Sequence, residues 1–189
     1  MVEGAKATGK TFLIEQAAEW LDAKSWKFPY VDYFNEFLKK TPDDTGSNSR
    51  EAHHFARGYD ITMLSMFKEC PERFKGLLVD RGFLSNIVLS LMQDRSTQEE
   101  EHQYIDYLHQ HGLLKNIKII YINRDAVAPE RNKDEWEYLD YTRQDELYRE
   151  YIEYMRKNEY VDFGNIHMIK NTFDESGKNQ FIQLVKSLR

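Results

Sequence analysis

The chain is 189 residues long, which suits one domain with a sizeable core, and its 41% hydrophobic and 31% charged residues are typical of a folded globular protein. A formal net charge of −6 excludes attraction of nucleic acid to the whole surface, although a local basic groove stays open. The single cysteine, Cys70, excludes an internal disulfide, and no apolar run approaches the ~20 residues of a membrane span. We therefore expect a soluble, cytoplasmic protein with no membrane association.

The chain opens with a motif that binds phosphate. Met1-Val2-Glu3 offers a short first strand, and residues 4–11 then read GAKATGKT, which satisfies G-x-x-x-x-G-K-[ST] in full. Glycines permit the backbone torsions that turn successive N–H groups toward an anion, and the helix that follows adds its unpaired amides. The predicted nucleotide-binding loop comprises Gly4, Ala5, Lys6, Ala7, Thr8, Gly9, Lys10 and Thr11.

Three side chains of this loop have predicted roles. Lys10 is expected to reach the β- and γ-phosphates of ATP, and the hydroxyl of Thr11 is expected to ligate Mg²⁺. Lys6 either adds a cation near the γ-phosphate or points to solvent. The helix after the loop is predicted from apolar residues at helical spacing, namely Phe12, Ile14, Ala17, Ala18 and Leu21.

Strand-like apolar runs alternate with longer helical patterns along the rest of the chain, which is typical of βαβ units and a parallel sheet. Strands are predicted at 28–34, 76–82, 116–123 and 165–171. Helices are predicted at 51–70, from a capping box at Ser96-Thr97-Gln98-Glu99 to Gly112, at 140–157, and at 179–188.

The strand at 76–82 belongs to a second informative motif, LLVDRGFLSN at residues 77–86. An apolar strand that ends in Asp-Arg places a carboxylate and a guanidinium at the carboxyl edge of the sheet, where ligands bind in open α/β folds. Asp80 is expected to hold Mg²⁺ through water or to accept the proton of the phosphate acceptor. Arg81 is expected to clamp the acceptor or the transferred phosphate. The alternative is a helix-capping Asp beside a surface Arg.

The loop, the VDRGFLS stretch and the charged segment after IIYINRD together resemble the thymidylate kinase and deoxynucleoside kinase superfamily over most of the chain. The resemblance implies an α/β P-loop NTPase fold in three layers, with a parallel five-stranded sheet and helices on both faces. It implies ATP-dependent transfer of the γ-phosphate to a (deoxy)nucleoside or its monophosphate, with Asp80 and Arg81 contacting the acceptor. We expect residues 1–189 to form a single kinase domain of this kind.

Two departures from the family pattern leave the acceptor open. Gly82 follows Asp-Arg, where thymidylate kinases usually have an aromatic residue. After the second strand, VDYFNEF supplies only Asp32 and Glu36 in place of the Glu-Pro motif that deoxynucleoside kinases usually carry. Both acidic residues are candidates for binding the acceptor.

The resemblance also implies a mobile lid rich in arginine, which falls at residues 124–137. Arg124, Arg131 and Lys133 would supply its charge. Arg131 would meet the phosphates during transfer, and Arg124 would contact the nucleotide at the base of the lid. The competing interpretation is a solvated run of charges.

Members of the family place base-contacting polar residues on the helix that corresponds to 51–70, and Arg57 is the best candidate there. Its neighbours His53 and His54 are expected on the surface. The apolar face predicted for this helix comprises Phe55, Met63, Met66 and Phe67.

Two other functions stay open. One is a kinase acting on a hydroxyl of a polynucleotide, against which the acidic composition argues. The other is a nucleotide-binding regulatory module with slow hydrolysis, against which the Asp-Arg motif argues. In either kinase ATP is the donor and Mg²⁺ the metal, the favoured partner is a small nucleotide or nucleoside, and a homodimer is left open.

Overall fold

A computed structural model describes residues 1–5, 8–29, 38, 50–123 and 141–188 of the chain. Its strands are β1 (Val2–Glu3), β2 (Ser25–Lys27), β3 (Leu78–Asp80), β4 (Ile119–Asn123) and β5 (Ile166–Lys170). Its helices are α1 (Lys10–Leu21), α2 (Arg50–Glu69), α3 (Pro71–Phe74), α4 (Phe83–Met92), α5 (Gln98–Gln110), α6 (Tyr141–Lys157) and α7 (Glu175–Ser187), with a 3₁₀ turn at Phe163–Asn165.

The five strands form one parallel sheet in the order β2-β3-β1-β4-β5. Val2 in the central strand is paired with Asp80 on one side and with Ile120 on the other. The parallel five-stranded sheet implied by the resemblance is therefore confirmed. Because β1 and β3 are neighbours, the loop that follows Glu3 and the Asp-Arg motif emerge side by side at the carboxyl edge.

Helices cover both faces of the sheet. Val79 and Tyr121 belong to a core that includes residues of α2, α4, α5 and α6. Leu78 and Ile120, their neighbours in sequence, belong to the opposite core, which α1 and α7 complete. This alternation is the two-residue period of a strand, and it yields the three layers that the resemblance implies.

The second strand differs from its prediction. It comprises Ser25–Lys27, before the predicted range of 28–34, of which residues 30–34 lie outside the described part of the chain. β2 is at the edge of the sheet, and Ser25 and Lys27 are exposed. An edge strand of this kind has no run of apolar residues, so hydrophobic patterning does not predict it.

The apolar face predicted for the helix at 51–70 is confirmed only in part: Phe67 is buried and Met63 packs against the core, but the other two members are exposed. Phe55 is 54% exposed and Met66 46% exposed, whereas His53 is buried rather than on the surface. The buried face of α2 combines small or apolar side chains with two polar ones, and it consists of Ala52, His53, Ala56, Asp60, Leu64 and Phe67. The polar residues face partners on α4 and α5, which a search for apolar spacing does not detect. In α1, similarly, Phe12 is exposed and Leu13 is buried.

The helix after residue 96 begins with a capping box that lies one residue later than predicted. Thr97 is the N-cap: its hydroxyl accepts from the Glu100 N–H at 3.2 Å, and the Glu100 carboxylate accepts from the Thr97 N–H at 2.8 Å. Ser96 instead donates to the buried carboxylate of Glu101. No helix within the described ranges is long and apolar enough to span a bilayer.

Candidate active site at the carboxyl edge of the sheet

Two glycines of the loop between β1 and α1 adopt the backbone conformations that the sequence predicts for them. Gly4 has φ 143° and Gly9 has φ 78°, both in the region that favours glycine. A Cβ on Gly4 would lie 2.6 Å from the carbonyl oxygen of Ile122, so this close approach to β4 also requires glycine. Gly9 precedes the first residue of α1, which directs the free amides of the helix into the loop.

Lys10 is buried inside this loop and points back toward its start. Its Nζ donates to the carbonyl oxygens of Gly4 at 2.8 Å and Ala5 at 2.6 Å, and to the Thr8 hydroxyl at 3.3 Å. Burial lowers the pKa of Lys10 well below its usual range, and Arg81 adds to that effect. A desolvated ammonium of this kind gains strongly from a nearby anion, which is what a phosphate would supply.

The hydroxyl of Thr11 donates to Asp80 Oδ2 at 2.5 Å, which joins the two sequence motifs across the sheet edge. The other carboxylate oxygen, Asp80 Oδ1, is buried and has no hydrogen-bond partner among the described residues. A hydroxyl beside a carboxylate with an open oxygen fits a hard cation such as Mg²⁺. The described residues contain no group of three or more His, Cys, Asp or Glu side chains able to hold a metal by themselves. The two oxygen ligands would therefore share Mg²⁺ with phosphates and water.

Arg81 follows Asp80 at a sharp corner of the chain. Its φ of 71° is unusual for a residue with a side chain and costs about 1–3 kcal/mol. Its N–H donates to the carbonyl oxygen of Val2 at 3.0 Å, which fixes the corner against β1. The Arg81 guanidinium is near enough to Lys10 to lower the pKa of Lys10, so it lies close to the phosphate loop, and its role as a clamp stays a prediction.

A third segment reaches the loop, and the sequence analysis missed it. The Asn171 amide donates to the carbonyl oxygen of Thr8 at 2.8 Å, and its Oδ1 accepts from the Phe173 N–H at 3.0 Å. Phe173 has φ 58° and a 40% exposed side chain, and a Cβ on Gly9 would lie 3.2 Å from its ring. The available signal was the position of Asn171 directly after the last strand, which is the position of Arg81 relative to β3.

A cluster of buried polar side chains lies between α2, α4 and α5; it is called the α2 polar cluster below. Arg57 forms an ion pair with Glu101 at 3.1 Å, donates to the Glu100 carbonyl oxygen at 3.2 Å and lies over the Tyr104 ring at 4.7 Å. The cluster comprises His53, Arg57, Asp60, Asn86, Ser90, Glu101 and Tyr104. Arg57 is therefore held in one orientation by α5.

Two members of the α2 polar cluster have perturbed protonation. Burial lowers the pKa of His53 to about 3, so its ring is neutral where it meets the Ser90 hydroxyl at 2.8 Å. Burial raises the pKa of Asp60 well above its usual range, although Asn86 donates to it at 2.8 Å. The cluster thus combines a neutral imidazole with a carboxyl whose pKa is raised by burial.

Some predicted site residues lie outside the described part of the chain. They are Lys6, Ala7, Asp32, Glu36, Arg124, Arg131 and Lys133, together with the whole predicted lid at 124–137. Their roles stay predictions from the sequence.

A cavity of about 420 Å³ is located at the opposite edge of the sheet. Leu77, Leu78, Ile117 and Lys118 line it at the amino ends of β3 and β4. Its walls include none of the loop residues 8–11 or Asp80 and Arg81, so this cavity is separate from the candidate active site.

Comparison with known proteins bears on the fold. No family model matches the chain. No curated protein matches it either. Among solved structures, a deoxyadenosine kinase from M. mycoides with bound dATP superposes on 98% of this chain and 96% of its own, with a TM-score of 0.58 and 17% identity. The chain adopts the P-loop nucleoside kinase fold. In this fold the described residues of the loop and the Asp80–Arg81 corner lie at the same edge of the sheet, as the two sequence motifs predict.

Proposed function

We propose that the chain is an ATP-dependent phosphotransferase that moves the γ-phosphate to a small (deoxy)nucleoside or its monophosphate. The observation that carries this proposal is the 2.5 Å contact between Thr11 and Asp80. It joins the phosphate loop to an acidic residue at the neighbouring strand end, so one edge of the sheet holds the groups for both the donor phosphates and the acceptor.

On the donor side, the loop amides and Lys10 bind the β- and γ-phosphates, and Thr11 with Asp80 Oδ1 binds Mg²⁺. The metal, when bound, neutralises charge on the phosphate oxygens. Phe173, beside Gly9 and 40% exposed, offers an aromatic surface to the base of the donor nucleotide. Arg124 and Arg131 remain proposed cationic contacts to the donor.

In the transfer, an acceptor oxygen forms a bond to the γ-phosphorus while the bond from that phosphorus to the β–γ bridging oxygen breaks, and ADP leaves. Arg81 holds the acceptor or the moving phosphoryl group, because its planar guanidinium matches phosphate oxygens in pairs. If the acceptor is a hydroxyl, its proton passes to a carboxylate, and Asp80, Asp32 and Glu36 are the candidates.

On the acceptor side, Arg57 is the residue that we propose to contact the base. Its side chain is 21% exposed and is held by Glu101, which lowers the entropy lost when a ligand binds.

The test is a panel of nucleosides, nucleoside monophosphates and oligonucleotides, each incubated with ATP labelled on the γ-phosphate, with chromatography of the products. Label in a nucleoside or a monophosphate supports the proposal. Label confined to oligonucleotides indicates the polynucleotide kinase instead, and release of phosphate without a labelled acceptor indicates the regulatory module. Either of these last two results would contradict the proposal. A single kinase domain, a cytoplasmic location and a homodimer stay predictions.

A further inference from the structure

Glu3 is a carboxylic acid placed in the protein interior directly before the phosphate loop. Its side chain has no exposed surface, and on the same face of the sheet the neighbouring strands present Val79 and Tyr121. Burial raises its pKa to about 7. Burial of a carboxyl group destabilises the fold unless its oxygens form hydrogen bonds, so packing alone does not explain the position of Glu3.

One oxygen of Glu3 begins a directed chain of hydrogen bonds. Ser85 Oγ donates its only proton to Glu3 Oε2 at 2.6 Å. When Glu3 is ionised, the contact of 2.8 Å between Ser85 Oγ and the Tyr148 hydroxyl therefore runs from Tyr148 to Ser85. Burial raises the pKa of Tyr148, and a hydrogen bond from the backbone of Gly4 opposes that rise. This hydrogen bond connects Tyr148 to the first glycine of the phosphate loop.

The other oxygen of Glu3 faces the Asp-Arg corner. Glu3 Oε1 is buried and has no hydrogen-bond partner in the residues that the structure describes. A Cβ on Gly82 would lie 2.8 Å from this oxygen, so the carboxyl approaches the corner only because residue 82 is a glycine. Gly82 has φ −175°, an ordinary extended torsion, so the glycine is required for space alone.

This chain of hydrogen bonds therefore joins three parts of the molecule. Glu3 and Gly4 belong to β1 and the phosphate loop, Ser85 to the first turn of α4 after the Asp-Arg corner, and Tyr148 to α6. On the same helix, Arg149 donates to the side chain of Asn123 at the carboxyl end of β4, so α6 also reaches the active edge. We propose that Glu3, Ser85 and Tyr148 are positioning residues for phosphoryl transfer, which hold the phosphate loop, the Asp80–Arg81 corner and α6 in one arrangement.

This inference rests on the proposed function, and its test uses two readouts. The variants are Ser85→Ala, Tyr148→Phe and their double mutant. The matched control is Tyr151→Phe, because Tyr151 is on the same helix, is equally buried, and its hydroxyl has no hydrogen-bond partner among the described residues. Tyr148→Phe removes one atom and keeps the ring, so it tests the proposal even if Ser85→Ala does not fold.

In the transfer assay, we expect kcat to fall by about 10-fold in each single variant while the KM for ATP changes by less than about threefold, because misplaced groups slow the reaction more than they weaken binding. The kcat of the double mutant should fall by about 10-fold, as in one single variant, because both changes break the same chain of hydrogen bonds. Independent effects would instead multiply to about 100-fold. Tyr151→Phe should stay within about twofold of the wild type.

The second readout needs only nucleotide binding. Addition of ATP should slow hydrogen exchange at residues 141–150 in the wild type and in Tyr151→Phe, and this slowing should be lost in Ser85→Ala and Tyr148→Phe. Variants that match the control in both readouts, or losses that multiply in the double mutant, would overturn the proposal. If the wild type binds ATP but phosphorylates no acceptor, the proposed function fails, while the exchange experiment still decides whether these three residues couple the phosphate loop to α6.

Discussion

Individual residues at the carboxyl edge of the sheet combine burial with charge. Lys10, Glu3 and Asp80 are all at most 5% exposed, and Arg81 adopts a backbone conformation that strains a side-chain-bearing residue. These features lower stability locally, because charged groups prefer water. Their concentration around one loop is typical of a ligand-binding site, and it is consistent with the proposed function.

Arg81→Lys should reduce transfer strongly. A lysine keeps the charge but cannot present the two parallel N–H donors that match a phosphate or carboxylate. We expect kcat/KM for the acceptor to fall by at least about 10-fold. Steady-state kinetics at low acceptor concentration measures this, with the exposed Arg50→Lys as control. Equal kcat/KM for Arg81→Lys and wild type would rule out the clamp.

Glu3→Gln should change the dependence of stability on pH. The pKa of Glu3 is raised by burial from 4.5 to about 7, so between these values the folded protein holds a proton that the unfolded chain releases. The stability of the wild type therefore falls as pH rises through this window. As pH rises from 4.5 to about 7, the free energy of unfolding of Glu3→Gln should increase relative to wild type by about 3 kcal/mol. This follows from about 1.36 kcal/mol for each unit of pKa shift.

Urea unfolding at pH values from 4 to 8 measures this difference. Other carboxyl groups titrate in both proteins and cancel. Parallel stability curves across the whole range would mean that Glu3 does not titrate in this window.

At the scale of elements, the sequence predicts best what depends on local backbone chemistry. The loop needs glycines at Gly4 and Gly9, so a pattern of glycines and Lys-Thr is sufficient to locate it. Strand β4 and helix α6 are found because their patterns are long. The edge strand β2, the polar buried face of α2 and the approach of Phe173 depend on tertiary neighbours, which no local pattern encodes.

Thr97→Ala tests the capping box of α5. The change removes the oxygen that accepts from the Glu100 N–H, and a lost N-cap of this kind costs about 1 kcal/mol. Thermal unfolding should show a Tm lower by several degrees. Thr62→Ala is the control, because Thr62 is exposed within α2 and its hydroxyl only donates to the Gly58 carbonyl oxygen. A Tm for Thr97→Ala as high as that of the control would argue against the cap.

At the scale of the whole molecule, one sheet separates two cores that differ in polarity. The core with α1 and α7 is apolar and supports the helix that carries Lys10 and Thr11. The core on the other face contains the α2 polar cluster and the chain from Glu3 to Tyr148. The proposed donor side thus rests on one layer and the proposed acceptor side on the other, and the two layers meet at the sheet edge where Thr11 contacts Asp80. Strand order is what brings them together, because β1 and β3 are neighbours in space and 74 residues separate Glu3 from Leu78 in sequence.

The central claim is that the loop at Gly4–Thr11 binds the phosphates that the protein transfers. The most direct measurement compares wild type with Lys10→Met in the rate at which label moves from the γ-phosphate of ATP to a small nucleoside or monophosphate. Methionine keeps much of the buried aliphatic stem and removes the ammonium, so circular dichroism should show an intact fold. We expect transfer to fall by at least about 100-fold, equivalent to about 3 kcal/mol of transition-state stabilisation. A folded Lys10→Met protein that transfers the label as fast as wild type would contradict the claim.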